Sequence, residues 1–118
     1  MFVDVEKHGT FELDRDFLEE YRDEPVNWGY GALSWATYKR TYSRDGEDWW
    51  QTCQRVIEGM FTVQRVHCKE RNLPWDAEKA QRFARKAYDR LFNFKWTPPG
   101  RGLWMMGTDY IYERGGAA

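Results

Sequence analysis

The sequence contains only two cysteines, Cys53 and Cys68, too few for a disulfide scaffold. It has no apolar run near the roughly 18 residues that a membrane-spanning helix requires. The opening MFVDVEKHGT is acidic and polar, where a secretion signal is basic and then apolar. A cytoplasmic protein with no membrane partner is expected. Neither sign of charge prevails: 18 Lys and Arg stand against 19 Asp and Glu, so there is no basic stripe for a phosphate backbone and nucleic acid is not an expected partner. Internal repeats and low-complexity segments are also missing, and 118 residues suit one domain with one core.

Aromatic side chains are plentiful, with seven each of Trp, Tyr and Phe, while Leu, Ile and Val are scarce. Large rings serve two purposes in small proteins, filling a core or meeting another surface, and composition leaves both open.

Three or four helices leading into one strand are expected. After an N-terminal strand or irregular arm, Asp14 caps a short acidic helix, DRDFLEEYRDE, which ends at Pro25. Ser34 caps SWATYKRTYSR, in which Trp35, Tyr38 and Tyr42 share one face. Asp45 and Asp48 bracket the start of a long helix running to Asn72 and Pro74, with Trp50, Cys53, Ile57, Met60, Phe61 and Gln64 as its apolar stripe. Gly59 interrupts that helix at a cost of about 1 kcal/mol relative to Ala, which predicts another backbone packed closely against it. Asp76 caps the last helix, with Ala80, Phe83, Ala84, Ala87, Tyr88, Leu91 and Phe92 facing inward. The Pro- and Gly-rich turn at residues 97–102 then leads into Leu103 to Met106, which the pattern predicts as a buried strand with no partner in the chain.

Chemistry-bearing clusters are few. His67 and Cys68 are adjacent, so they diverge by about 100° on a helix, and no second cluster completes a metal site. Cys53 and Cys68 stand about 22 Å apart along a continuous helix, too far for a disulfide, and read as packing residues. His8 has no neighbouring nucleophile. TPPGRGLW has the glycines and arginine of an anion nest but lacks the Lys-Ser/Thr of a phosphate loop.

Three stretches carry a resemblance. WATYKRTYSR at residues 35–44, WWQTCQRVIEGM at residues 49–60 and TPPGRGLWMMGTDY at residues 97–110 resemble the N-terminal region of adenosylcobalamin-dependent, class II ribonucleotide reductase of the monomeric ribonucleoside-triphosphate type. The likeness spans residues 27–112. Pro99 and Gly102 depart from the Ser and Asn of close relatives.

The resemblance implies a mainly α fold: a helical N-terminal segment of a ten-stranded α/β reductase barrel, ending in one strand that belongs to the barrel. Residues 1–24 then form an arm and short helix, residues 25–96 the helical reductase region, and residues 97–118 the turn and first barrel strand, stopping before the catalytic cysteine. Neither Cys53 nor Cys68 matches a catalytic residue. Arg101, Gly102, Gly107 and Thr108 become candidate substrate-proximal residues, with turn geometry and strand entry as the plain alternative.

The implied function is reduction of ribonucleoside triphosphates to deoxyribonucleotides by a thiyl-radical mechanism under a nucleotide effector, with adenosylcobalamin bound by the complete enzyme. The implied partner is the remaining reductase polypeptide that carries the barrel, the chain being a split subunit, an intein-separated product or a shortened segment, inactive alone. The competing expectation is a standalone helical module that binds an unrelated protein through its aromatic face.

Overall fold

The computed structural model describes residues 3–28, 32–96, 98, 103, 105–108 and 112. Five helices run in order through α1 (Val5–His8), α2 (Arg15–Arg22), α3 (Ala32–Thr41), α4 (Trp49–Glu70) and α5 (Ala77–Phe92).

Helix α4 is the axis on which the other elements pack. Its start is set by Asp48, whose N–H donates to Gln51 Oε1 at 2.8 Å. Its end is set by Asn72, which takes a left-handed φ of 55° and lets the Leu73 N–H reach back to the Cys68 carbonyl at 2.9 Å. The expected single stripe is too narrow. Trp49, Thr52, Cys53, Val56, Ile57, Gly59, Phe61, Thr62 and Val66 are buried, whereas Gln64 is exposed and Trp50 and Met60 are half-buried. A helix covered on several sides buries more than an a/d face.

Helix α5 supplies one of those covers. The Asp76 side chain accepts from the Lys79 N–H at 3.1 Å, and the following Ala-rich run has no β-branched residue to restrict it. Ala80, Ala84, Tyr88, Leu91 and Phe92 are buried as expected, but Phe83 is 49% exposed, with the Lys79 ammonium over its ring. Helix α3 begins at Ala32, ahead of the expected Ser34 cap, and its face divides: Tyr38 is buried and Trp35 is exposed.

The rings mostly fill the core. Trp28, Tyr38, Trp49 and Phe94 form one set, in which Trp49 and Phe94 stack with centroids 4.9 Å apart. Phe17, Tyr21, Tyr88 and Phe92 form a second, and Phe11 joins Phe61 and Trp75. The polar edges of the buried rings are satisfied. Trp49 Nε1 donates to the Phe92 carbonyl at 3.0 Å and Tyr88 Oη to the Trp50 carbonyl at 2.9 Å.

The N-terminal arm lies along α4 without a sheet. The buried Phe11 N–H donates to Thr62 Oγ1 at 2.9 Å and the Leu13 N–H to Glu58 Oε2 at 2.8 Å. Two residues of extended chain advance about 6.6 Å and four residues of helix about 6 Å, so an i, i+2 pair of donors meets an i, i+4 pair of acceptors in register. Gln81 of α5 holds the other side, donating to the Glu12 carbonyl at 2.6 Å.

The expected strand is not formed. Leu103 and Met105 have helical backbone, and Leu103 is buried in the main core. Among the described residues there is no strand at all. A short apolar run does not distinguish strand from helix, and without a neighbouring sheet edge a helical turn satisfies its own backbone groups. The turn closes with the Thr108 N–H donating to the Met105 carbonyl at 3.1 Å.

Thr62→Val removes the acceptor for the buried Phe11 N–H while keeping side-chain volume. It is expected to destabilise the chain by about 1–3 kcal/mol, read from the urea midpoint, and to speed amide exchange at Phe11.

Candidate functional site

Glu47, in the last turn before α4, gathers donors from the Tyr- and Arg-rich segment on one side and from α4 on the other. Its carbonyl accepts from Lys39 Nζ at 2.6 Å, Ser43 Oγ at 2.7 Å and Tyr38 Oη at 3.1 Å. Its Oε1 accepts from Thr52 Oγ1 at 2.6 Å, the Arg44 N–H at 3.1 Å and Arg55 Nη2 at 2.8 Å. Tyr38 Oη also meets Thr52 Oγ1, and desolvation pushes the phenol up to about 12, so it stays a neutral donor. Lys39 therefore serves this network rather than only a solvated helix face, and Arg44 joins it through its backbone N–H.

Arg55 carries the network onward. Its Nη2 donates to the Leu103 carbonyl at 2.6 Å and its Nη1 to the Met106 carbonyl at 2.8 Å. These are acceptors of a short helical turn, where a cation is favoured both by hydrogen bonding and by the helix dipole. The Arg55 and Glu47 side chains are each only 13% exposed. Breaking so enclosed a pair by removing one partner costs about 3–5 kcal/mol, because the other charge is left buried.

One turn along α4, Gly59 meets Gly107. A Cβ on Gly59 would sit 2.4 Å from the Gly107 nitrogen and 2.6 Å from its Cα. A Cβ on Gly107, whose φ is 81°, would sit 2.3 Å from the Arg55 carbonyl oxygen. The predicted close approach of a backbone to Gly59 is thus met by residue 107 of the turn.

Beside this contact runs an open groove of about 800 Å³, bordered by Arg55, Glu58, Gly59, Thr62, Gly107 and Thr108. Of the four predicted site residues, Gly107 and Thr108 reach this rim, and Thr108 Oγ1 donates to the Met105 carbonyl at 2.6 Å. Arg101 and Gly102 lie outside the described residues. Glu47 and Arg55 were not singled out by pattern, since each reads alone as surface charge; their spacing of eight residues across a helix start gives no periodic signal.

Glu58 lines the groove, and desolvation raises its carboxyl above the ordinary 4.5 despite the Leu13 N–H and Gln54 bonds that favour the anion. Cys53 is fully buried, and desolvation raises its thiol well above the ordinary range, which suits packing rather than redox chemistry. Both cysteines are free thiols. Among the described residues no group of His, Cys, Asp and Glu is arranged to hold a metal ion, and no helix is long and apolar enough to cross a membrane.

Residues 13–108 match the family model described as the ribonucleotide reductase alpha domain. The chain is 36% identical over 110 residues to a probable adenosylcobalamin-dependent ribonucleoside-triphosphate reductase of Dictyostelium discoideum, covering 89% of this chain and 14% of that protein. It is 39% identical over 114 residues to the adenosylcobalamin-dependent ribonucleoside-triphosphate reductase of Euglena gracilis, covering 92% of this chain and 16% of the relative. A crystal structure of a B-12 dependent (class II) ribonucleotide reductase superposes with a TM-score of 0.70 at 31% identity, over 85% of this chain and 14% of that one. The chain therefore spans about one seventh of the length of the proteins it matches.

Two substitutions probe this site. In an exposed helix interior, Gly to Ala stabilises by about 1 kcal/mol; Gly59→Ala is expected to destabilise instead, by about 1–3 kcal/mol in thermal or urea unfolding, because the new methyl meets backbone. For Glu58, the raised folded value means its contribution to stability is complete below pH 4.5 and is lost as pH rises through that folded value. Glu58→Gln keeps an oxygen for the Leu13 N–H, and should flatten the pH dependence of unfolding above pH 4.5; an unchanged slope would contradict the buried carboxyl.

Proposed function

We infer the role of this chain from one premise: it belongs to the ribonucleotide reductase family, matching its alpha domain. It is the helical N-terminal part of a class II enzyme that reduces ribonucleoside triphosphates to deoxyribonucleotides by a thiyl-radical mechanism, under a nucleotide effector, in the cytoplasm. This part supplies scaffold and substrate-proximal backbone. Residues 1–24 are its arm, residues 25–96 its helical body and residues 97–118 the passage toward the barrel. Its partner is the remaining reductase polypeptide.

The observation that carries this reading is a convergence. The three stretches that resemble the reductases meet at one place, where Tyr38, Lys39 and Arg44 bond to Glu47, Glu47 bonds to Arg55, and Arg55 bonds to the 103–106 turn. Gly107 and Thr108 stand on the groove rim beside that junction, and Arg101 and Gly102 precede the same turn in sequence. We place all four near the substrate.

The groove does not fit adenosylcobalamin. It is bordered by carboxylate, guanidinium and amide groups, and Glu47, Glu58 and Arg55 already have hydrogen-bond partners within the chain. The cofactor supplies the radical in the complete enzyme, from residues other than those described here. The radical and redox cysteines are likewise assigned outside this chain, since burial makes Cys53 unsuitable and Cys68 lies on the far C-terminal turn of α4.

The purified 118-residue chain, given ribonucleoside triphosphate, adenosylcobalamin and a dithiol, should form no deoxyribonucleotide. Added to a reductase polypeptide lacking the matching segment, it should bind and restore turnover. Activity from the chain alone would overturn the reading; failure to bind would favour the standalone module.

A further inference from the structure

We propose that Arg55, oriented by Glu47, is a positioning residue for the reductase reaction, acting through the turn at residues 103–108. The proposal rests on the reading of that turn as substrate-proximal. Arg55 holds the turn from two sides. Its guanidinium spans the carbonyls of Leu103 and Met106, while its own carbonyl oxygen packs against Gly107, where a Cβ would come within 2.3 Å. The backbone of Gly107 is in turn pressed on Gly59, so no side chain intervenes that could absorb a shift.

A guanidinium is required for this task. Its donors leave in fixed, coplanar directions, and here Nε and Nη2 engage Glu47 while Nη1 and Nη2 engage the two carbonyls. An ammonium is a point charge without that fork. Glu47 fixes the plane, and is itself held by Thr52 and the Arg44 N–H. A rotation of the guanidinium therefore moves the carbonyls, and with them the Gly107 and Thr108 edge of the groove. Small misplacements of groups that orient a reactant can reduce turnover by up to about a hundredfold.

The test uses the complete reductase polypeptide that carries this segment, with Arg55→Lys, Glu47→Gln and, as a surface control, Arg85→Lys on α5. In Arg55→Lys, amide exchange at Thr108 should quicken at least about tenfold while exchange at Ile57 in the core of α4 is unchanged. The same variant should lose at least about tenfold in kcat/KM for ribonucleoside triphosphate, with a smaller loss in Glu47→Gln and none in Arg85→Lys. Retention of both Thr108 protection and kcat/KM in Arg55→Lys overturns the proposal. A loosened turn with unchanged kinetics overturns its second step, the link from turn to substrate. If the unsubstituted polypeptide reduces no ribonucleotide, the assigned function fails instead, and the exchange data alone then decide whether Arg55 holds the turn.

Discussion

Glu47 is enclosed at both its backbone carbonyl and its carboxylate, and each gathers several donors at once from the segments on either side of it. The Tyr38, Lys39, Ser43 and Arg44 groups come from the end of α3 and the loop after it, Thr52 and Arg55 from the first two turns of α4. The arrangement fixes a direction as well as an energy. A hydrophobic replacement of an enclosed ion pair can match its stability, yet would leave the Leu103 and Met106 carbonyls without the donors that Arg55 supplies. The position of the 103–106 turn on α4 depends on those bonds.

Where Arg55 acts by attraction, Gly59 and Gly107 act by absence. Two backbones approach closely only if neither carries a Cβ at the contact, and the left-handed φ of Gly107 is one that glycine adopts without strain. The arm uses a third device. Its N–H groups at Phe11 and Leu13 would be costly if left unpaired, and α4 answers them with side chains one helical turn apart. Helix α4 thus serves as template for both the arm and the turn. Val3, Val66 and Tyr112 close the small second core at the same helix, where the Val3 N–H donates to the Tyr112 carbonyl at 2.7 Å.

Much of the helical frame was legible because it is encoded locally. Asp48 and Asp76 cap where side-chain chemistry says they should, Asn72 and Pro74 stop α4, and the inward face of α5 follows the 3.6-residue period except at Phe83. The close approach at Gly59 was legible for the same kind of reason, since an uncompensated helix glycine asks for an explanation. The arm ladder and the Glu47 network were not, because both join positions more than one helical turn apart through partners that periodicity does not register. The aromatic surplus could be assigned only once the ring sets around Trp49 and Tyr88 were seen to be internal. Leu103 to Met106 suits strand or helix equally as four apolar residues, and the deciding interaction, Arg55 on the carbonyls of Leu103 and Met106, arrives from 48 to 51 residues away.

That helical outcome changes how the turn can meet the rest of a reductase. A strand offers a row of free N–H and C=O groups to a neighbouring sheet, so an extended segment here would be an edge awaiting partners. The carbonyls of Leu103 and Met106 are instead bonded to Arg55, and the Met105 carbonyl accepts from Thr108. Sheet pairing at these positions would require those bonds to break and the enclosed Glu47–Arg55 pair to lose its downstream acceptors. The turn therefore contributes as a prefixed unit, presenting the groove rim at Gly107 and Thr108. If the rim faces substrate as proposed, its rigid placement means that the cost of ordering it is met in folding rather than at the moment of binding.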